Sequence, residues 1–294
     1  MRIAVTGGTG FIGRHLVRRL ARDHHEITLM AHRRPAGDLP GSNIRVLPGR
    51  LDDVSSLEKT FAAAEAVFHL VGIIAETRQK TFQKTVVEGT ENVVRACRTA
   101  GVKKIIYLSA MGTAPTAPTE YHRTKYRAEQ AVISSGLDYV IYRPSVVYGE
   151  GDGFVSLLTR LIKLSPVTPV IGHGRYRFQP VYIDDLVAVM AGGLTCRDAR
   201  NNIIEVGGPE QLEYIELLNL VKSTLGKSRV NLHLPIGVMK IVARILESLL
   251  KPAPITRDQL TMMEMGNTGD ISKMKKLFGL EPLKMKEGLE KYLR

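Results

Sequence analysis

The chain of 294 residues has no tryptophan, and aromatic side chains make up only 6% of it. It has two cysteines, Cys97 and Cys196, which form no paired motif and stand apart from clusters of histidine and acidic residues. We therefore expect no structural disulfide and no metal site, and a reducing, cytoplasmic compartment. No apolar run approaches the ~20 residues that span a bilayer. The first strand is predicted from Arg2, which leaves no room for a targeting peptide.

Acidic residues are also few: 29 Asp and Glu stand against 41 Lys and Arg, a net charge of +12. The basic residues are scattered, and no helix-turn-helix, zinc-finger or aromatic RNA-binding motif accompanies them, so we expect no nucleic-acid partner. A solvated basic surface, an anionic cofactor or an anionic lipid surface each fits this charge. The apolar content of 44% and charged content of 24% are typical of a soluble globular protein.

The segment of residues 3–20, IAVTGGTGFIGRHLVRRL, passes from an apolar run through glycines into a helical pattern. Gly7, Gly10 and Gly13 are spaced as a strand–turn–helix phosphate site requires. The first glycine allows a tight turn, the second a close approach to pyrophosphate, and the third close packing of the helix. The free N–H groups at the start of the helix then face the phosphates. This segment predicts a dinucleotide site.

The first half of the chain alternates between strand and helix patterns, which predicts a doubly wound parallel sheet of the α/β class. The predicted strands are Arg2–Thr6, Ile27–Ala31, Ile44–Pro48, Ala66–Val71, Lys104–Ser109 and Tyr139–Arg143. The predicted helices are Gly10–Arg22, Ser55–Ala63, Thr81–Ala100 and Tyr121–Ser135.

After about residue 150 the pattern becomes irregular, and Leu164–Pro180 is rich in proline and glycine. We predict a dinucleotide-binding domain at residues 1–150. Residues 151–294 form a smaller cap over the carboxyl edge of the sheet, partly interleaved with the core. Further helices are predicted at Leu212–Leu225, Ile236–Lys251 and Thr256–Met265.

The segment Ile236–Lys251 is strongly amphipathic, with Ile241, Ile245 and Leu249 on one face and Val238, Val242 and Leu246 alongside. Two interpretations remain open: the face packs against the cap, or it docks on a membrane surface or a partner.

Tyr121 and Lys125 form the motif Y-x-x-x-K, which places both side chains on one face of a helix. Of the ten tyrosines, only Tyr121 has a lysine four positions on. Ser109 ends the preceding strand, so we expect the three at one edge of the sheet. A nearby ammonium and an oxidised nicotinamide ring would lower the phenol pKa. Tyr121 is then the acid/base of hydride transfer, Ser109 binds the substrate oxygen, and Lys125 also binds the ribose.

The end of the second strand discriminates between cofactors, because an acidic residue there favours NAD(H) and an arginine favours NADP(H). His32, Arg33 and Arg34 follow Ala31, and no acid occurs before Asp38. We predict that NADP(H) is preferred over NAD(H).

The segments TGGTGFIG, EGTENVV, YLSAMG, YHRTK and RPSVVYG resemble the extended short-chain dehydrogenase/reductase superfamily. Within it, HLVGI, GDGFVSLLTRLIK and RFQPVYIDDL most resemble the atypical branch of the nucleotide-binding accessory subunit of respiratory complex I. That branch also contains bacterial stand-alone relatives. The resemblance runs to about residue 265 and implies a Rossmann-type core, a bound NAD(P)(H) and a C-terminal cap. It also implies that Pro144 to Val147 line the nicotinamide end of the cofactor.

The chain departs from the family pattern at three places. Arg50 follows Gly49 where the family often has an Asp near the adenine, which leaves Leu51 to pack on that ring. Val86 occupies a position that is usually Asn in sugar-modifying members. Ser109 lies twelve residues before Tyr121, closer than in sugar epimerases.

These inferences give one set of site residues. The predicted catalytic residues are Tyr121, Lys125 and Ser109. The predicted cofactor-binding residues are Gly7, Thr9, Gly10, Phe11, Ile12, Gly13, His32, Arg33, Arg34, Leu51, Val71, Gly72, Lys125, Pro144, Val146 and Val147.

Three functions remain open. The first is an NADP(H)-dependent oxidoreductase acting on a small alcohol or carbonyl compound. The second is a non-catalytic dinucleotide-binding accessory or sensor protein, peripheral to a membrane or docked on a respiratory complex. The third is a nucleotide-sugar epimerase or dehydratase. The oligomeric state is not predicted.

Overall fold

The computed structural model describes residues 1–32, 41–250 and 253–293, and its centre is a seven-stranded, all-parallel sheet. Thirteen strands are described: β1 Arg2–Thr6, β2 Glu26–Ala31, β3 Ile44–Pro48, β4 Ala66–His69, β5 Lys104–Leu108, β6 Asp138–Pro144, β7 Val147–Tyr148, β8 Val167–Ile171, β9 Arg177–Phe178, β10 Val181–Tyr182, β11 Asn202–Val206, β12 Leu212–Glu213 and β13 Val230–Leu234. The order in the large sheet is β11-β6-β5-β4-β1-β2-β3. The chain therefore leaves β1 in one direction and returns to its other side with β4, as in a doubly wound Rossmann-type sheet.

Helices cover both faces of this sheet. They are α1 Phe11–Arg22, α2 Val54–Phe61, α3 Gly89–Thr99, α4 Glu120–Ile133, α5 Phe154–Leu164, α6 Ile183–Gly192, α7 Tyr214–Thr224, α8 Ile236–Leu249, α9 Arg257–Met265, α10 Ser272–Phe278 and α11 Met285–Glu290. A π-helical segment, Gln83–Glu88, leads into α3, and a 3₁₀ turn spans Arg197–Ala199. Within these described ranges no helix is long and apolar enough to cross a bilayer.

Two apolar clusters hold the layers together, because successive side chains of each buried strand point to opposite faces. In β1, Ile3 and Val5 belong to the cluster that contains Leu16 of α1. Ala4 belongs to the opposite cluster, which packs beneath α2, α3 and α4. The unbroken apolar runs in the sequence arise from burial on both faces.

The predicted alternation of strands and helices is confirmed, with shifts at element ends. The predicted strand Ala66–Val71 ends at His69, which leaves Leu70 to Gly72 as a connection at the carboxyl edge. The predicted helix Thr81–Ala100 divides into the π-helical segment and α3. The predicted helix at Leu212 begins at Tyr214, because Leu212 and Glu213 pair with β9.

The chain beyond residue 151 contributes to the core as well as to the region above it. β11 pairs with β6 and forms one edge of the large sheet. α6 belongs to the same apolar cluster as α1, through Leu186 and Met190. Three two-stranded sheets, β7–β10, β9–β12 and β8–β13, lie outside the large sheet.

The amphipathic segment forms α8, and its apolar face is exposed. Ile241, Ile245 and Leu249 are 63%, 53% and 72% exposed, and Ala243 is the one buried residue of this helix. The interpretation that this face packs against the cap is therefore wrong. The helix turns its polar side towards the protein instead.

Candidate active site

Those predicted site residues that the structure describes lie near the carboxyl edge of the sheet, where β1 lies between β4 and β2. Parallel α/β sheets bind ligands outside the carboxyl ends of their strands at such a reversal of strand order. Gly7 follows β1 and Val71 follows β4 at this point. A side-chain carbon on Gly7 would lie 2.9 Å from the backbone nitrogen of Val71. The two predicted contacts are thus neighbours.

The surroundings differ at the three glycines of the motif, and so does the effect that a side chain would have at each. Gly7 has φ +79°, a left-handed conformation that strains other residues. A side-chain carbon on Gly13 would lie 2.2 Å from the carbonyl oxygen of Gly7, so the helix start rests directly on the turn. A side-chain carbon on Gly10 would meet only the Gly7 oxygen, at 3.4 Å. Space therefore remains beside Gly10, where a phosphate would approach.

The first turn of α1 is free to receive an anion. Gly10 is its N-cap, no side chain caps the helix, and its first turn contains no acidic residue. Thr9 and Gly10 are exposed, and Phe11 and Ile12 are partly buried. The backbone N–H groups and the positive end of the helix dipole face open space, as pyrophosphate binding requires.

Lys125 reaches from α4 to the end of β5. Its Nζ donates a hydrogen bond of 2.7 Å to the carbonyl oxygen of Leu108, and it lies 4.9 Å from the centre of the Tyr107 ring. A side-chain carbon on Gly72 would lie 3.2 Å from this Nζ, so the absence of a side chain there gives the ammonium its room. Burial lowers the pKa of Lys125 to about 8, and the Glu129 carboxylate opposes that shift.

Tyr121 lies one turn before Lys125 on α4, in a helix capped by the Thr119 side chain. Its partly buried ring packs edge-on against Phe82 and His122, with centroids at 6.0 Å and 5.0 Å. Burial raises the pKa of Tyr121 to about 12. Burial is the one effect that acts on this phenol in the protein without a cofactor. The lowering of its pKa by Lys125 together with an oxidised nicotinamide ring stays a prediction.

Ser109 follows β5, as predicted, and is 4% exposed. Its hydroxyl lies 3.4 Å from that of Thr113, and its backbone nitrogen donates to Tyr142 in β6. In the described part of the chain no hydrogen bond joins Tyr121 to Ser109 or to Lys125. The three lie on neighbouring elements of one edge, and a role for Ser109 stays a prediction.

His122 was not predicted and fixes the loop that connects Ser109 with α4. Its Nδ1 lies 2.7 Å from the Thr119 hydroxyl, and its Nε2 would lie 3.4 Å from a side-chain carbon on Gly112. Gly112 itself has φ +85°. The ring therefore holds the loop against the start of the helix that carries Tyr121.

A buried polar chain behind the glycine turn was also not predicted. His69 is fully buried, with Nδ1 2.7 Å from the hydroxyl of Thr6 and Nε2 3.0 Å from that of Thr90. Thr90 donates its own proton to the carbonyl oxygen of Val86, so His69 must donate from Nε2 and accept at Nδ1. Burial lowers its pKa to about 3, which keeps the ring neutral. The signal was present in the sequence as a histidine within the apolar run VFHLV.

Tyr107 connects this chain to Lys125. The His69 ring stacks on Tyr107 at 5.5 Å, and Lys125 Nζ donates to the Tyr107 hydroxyl at 3.4 Å. Thr6, immediately before the glycine turn, and Lys125 are thus joined through two buried rings. Val86, the position that is Asn in sugar-modifying members, is fully buried in the apolar cluster beneath α3.

At the predicted adenosine end of the site, His32 and Arg50 follow β2 and β3. Arg50 Nη1 lies 3.2 Å from His32 Nε2, and Arg50 forms a two-point ion pair with Asp52 at 2.8 and 2.9 Å. Leu51 packs on Gly89 at the start of α3. Arg33 and Arg34 lie outside the described residues.

At the predicted nicotinamide end of the site, Pro144 ends β6, and Val146 and Val147 follow it closely. The carbonyl oxygen of Pro144 accepts from Met111 in the loop after Ser109, and that of Val146 accepts from Val181. The loop and the β6 end are therefore adjacent, as a nicotinamide pocket between them requires.

Two other kinds of site were considered in the described structure: surface grooves and metal-binding clusters. A groove of about 890 Å³ runs along α3 and α4, and none of the predicted site residues lines it. Across residues 1–32, 41–250 and 253–293, no cluster of three or more His, Cys, Asp or Glu side chains is arranged to hold a metal ion.

Comparison with known proteins identifies the family. The profile of the NAD dependent epimerase/dehydratase family matches residues 3–207, which include β1 to β11. The chain belongs to this family. Its resemblance to the extended short-chain dehydrogenase/reductases is thereby confirmed, as is the Rossmann-type fold.

Curated relatives are distant and varied in name. The chain is 27% identical to the NADH dehydrogenase [ubiquinone] 1 alpha subcomplex subunit 9 of Arabidopsis thaliana, over 85% of this chain and 64% of the subunit. It is 28% identical to the 3beta-hydroxysteroid-dehydrogenase/decarboxylase isoform 1 of the same plant, over 98% of this chain and 77% of that protein. It is 29% identical to the ceramide reductase of Caulobacter vibrioides, over 69% of this chain and 63% of the reductase. The chain spans less than two thirds of the first and third of these relatives.

Solved structures share the fold. A dTDP-glucose 4,6-dehydratase from Streptomyces venezuelae with bound NAD superimposes with a TM-score of 0.79 at 20% identity, covering 100% of this chain and 96% of that one. A UDP-glucose 4-epimerase from Thermotoga maritima gives a TM-score of 0.77 at 24% identity, with 99% and 96% covered.

Proposed function

We propose that the protein is an NAD(P)(H)-dependent oxidoreductase that interconverts a small carbonyl compound and its alcohol. The observation that carries this proposal is the buried Lys125 ammonium beside Gly72, one helical turn from Tyr121, at the edge that also carries the open glycine turn. Relatives named as a hydroxysteroid dehydrogenase and a ceramide reductase support it.

The residues present fit a dinucleotide. The uncapped start of α1 and the space at Gly10 suit the pyrophosphate, and Lys125 suits the ribose hydroxyls next to the nicotinamide. When bound, the dinucleotide supplies or accepts the hydride. Tyr121 donates a proton to the carbonyl oxygen in reduction and removes one from the hydroxyl in oxidation. Ser109 holds the same oxygen by a hydrogen bond.

The pKa of Tyr121 describes the protonation state of the phenol before a substrate binds. A phenol with a pKa of about 12 is protonated near neutral pH, so the protein as it stands holds a proton ready to donate. In the direction of alcohol oxidation, the same phenol must first lose this proton before it can act as a base.

The experiment compares Tyr121→Phe with Tyr126→Phe, the same change on the same helix. With a panel of aldehydes and ketones and either reduced cofactor, Tyr121→Phe lowers kcat by about 10²-fold or more. It leaves cofactor affinity within about twofold, well below 1 kcal/mol. Tyr126→Phe retains activity. Full activity in Tyr121→Phe would refute the role of the phenol.

We propose a preference for NADP(H) from Arg33 and Arg34, whose guanidinium groups suit a 2′-phosphate. Arg50 lies beside His32 and is paired with Asp52. The combined replacement of Arg33 and Arg34 by serine should weaken NADPH binding and leave NADH binding unchanged. Equal or tighter binding of NADH to the unaltered protein contradicts this preference.

A second function is a dinucleotide-binding accessory protein without turnover. The match to a complex I subunit over 85% of this chain favours it. Cofactor that binds tightly in both tyrosine variants, with no hydride transfer to any substrate tested, is the result expected of that function.

A further inference from the structure

Helix α8 is amphipathic, but its apolar side faces solvent, whereas the apolar side of an ordinary surface helix packs against the core. Its apolar residues Val238, Ile241, Val242, Ile245 and Leu249 are between 38% and 72% exposed. The recurrence of these residues every three or four positions places them on one side. From Val238 to Leu249 this stripe is about 16 Å long.

The side of α8 that faces the protein is held by charges. Lys240 pairs with Glu264 at 2.7 Å, and Glu247 pairs with Arg257 at 2.7 Å, both across to α9. Ala243, between them on the helix surface, is fully buried. Burying five aliphatic side chains would contribute more than these partly exposed ion pairs. The described residues therefore leave the apolar side of α8 exposed to solvent.

Apolar side chains are also exposed in the small sheet that precedes α8 and at the end of α5. Val230 in β13 pairs with Val167 in β8, so these side chains share one face of this small sheet with Leu232. Val230 is 71% exposed, Val167 36% and Leu232 49%, whereas Thr168 and Val170 on the other face of this sheet are buried. Leu164, at the end of α5, is 76% exposed. We call these residues, together with the α8 stripe, the apolar platform.

Positive charge accompanies the platform. Residues 157–171 and 227–250, which carry it, contain six Lys and Arg, of which Lys240 is paired with Glu264. They contain a single acid, Glu247, which is paired with Arg257. Arg160, Lys163, Lys227 and Arg244 are exposed. Apolar side chains among unopposed basic ones are the pattern of interfacial helices that bind anionic membranes.

We propose that the apolar platform docks the protein on an anionic phospholipid bilayer, with the α8 stripe in the acyl region and the basic residues at the headgroups. The charge pattern favours a bilayer over a second copy of this chain, because two like platforms would bring their basic residues together. The platform is one helix from the active-site loop: α9 carries Met265, which would lie 3.8 Å from a side-chain carbon on Gly112.

The test is co-sedimentation of the full chain with vesicles of phosphatidylcholine, with or without about 30 mol% phosphatidylglycerol. Binding is expected at least tenfold tighter to the anionic vesicles, and it should weaken between about 0.05 M and about 0.5 M salt as charges are screened. Ile241→Gln combined with Ile245→Gln should lower binding at least tenfold. Ile74→Gln, a change at a 61% exposed isoleucine outside the platform, should have no effect.

Two results overturn the proposal. One is equal or absent binding of the unaltered protein to both vesicle types. The other is a dimer in sedimentation velocity, without vesicles, that the double α8 variant converts to a monomer, since a second copy would then cover the platform. As a control for folding, the double variant should keep the cofactor affinity and the circular dichroism spectrum of the unaltered protein. Its weaker vesicle binding then does not result from unfolding.

Discussion

The glycine turn permits a prediction that separates folding from binding, through Gly13→Ala and Gly10→Ala. A methyl group on Gly13 would lie 2.2 Å from the Gly7 carbonyl oxygen and 2.5 Å from the Gly8 Cα. Ordinary contact begins near 3.4 Å, so the backbone must shift by about 1 Å, and such overpacking costs about 1–3 kcal/mol. We expect Gly13→Ala to lower the free energy of unfolding by that amount and to weaken dinucleotide binding with it.

Gly10→Ala should act on binding alone. Its methyl group meets only the Gly7 oxygen, at 3.4 Å, and φ at Gly10 is −74°. Alanine is a less favourable N-cap than glycine, which lowers the free energy of unfolding by about 0.5–1 kcal/mol. Alanine also lowers the conformational entropy of the unfolded chain, which raises the free energy of unfolding by about as much. Stability should therefore stay within about 0.5 kcal/mol. The methyl group takes the space of a phosphate oxygen, so affinity should fall about tenfold or more, over 1.4 kcal/mol.

The assays are urea unfolding followed by circular dichroism, and isothermal titration with each dinucleotide. Gly153→Ala is the control, because Gly153 has φ −91° and nothing within 4 Å of its side-chain position. Wild-type affinity in Gly10→Ala would refute the assignment of this turn to the phosphates. Wild-type stability in Gly13→Ala would refute the contact between helix and turn.

Two further predictions concern pH. Because His69 has a pKa of about 3 in the native state and about 6.5 when unfolded, the unfolded chain gains a proton first as pH falls, and stability should drop by about 2 kcal/mol from pH 7 to pH 5. In His69→Gln this part of the urea-unfolding pH dependence should vanish, and an unchanged slope would contradict the buried neutral ring. Lys125, with a pKa of about 8, loses its proton above that pH, so affinity for the dinucleotide should fall about tenfold from pH 7 to pH 9. Titrations of Lys125→Met should show weak binding without this pH dependence, and the same dependence in that variant would exclude Lys125 as its source.

Local patterns predicted most of the fold and the glycine turn between β1 and α1. Gly7 and Gly13 occupy positions where a side chain would be strained or would clash, and buried parallel strands need apolar runs. Both requirements are visible in a single sequence. The order of β1, β4 and β5 along the carboxyl edge follows from the alternation of strands and helices.

Contacts between distant segments could not be predicted in the same way. The pairing of His69 with Thr6 and Thr90 depends on which side chains meet after the sheet has formed. The raised pKa of Tyr121 depends on burial beside Phe82, which no spacing rule reveals. The orientation of α8 was also undetermined, because an apolar stripe has the same sequence pattern whether it faces a core or a membrane.

Direct titration of the purified protein with NADPH and with NADH tests the central claim, that the glycine turn and Lys125 form a dinucleotide site. We expect saturable binding with one dinucleotide per chain, tighter for NADPH, and weakened by Gly10→Ala without loss of stability. If neither dinucleotide binds at millimolar concentration to protein that is folded and free of bound nucleotide, the claim is wrong.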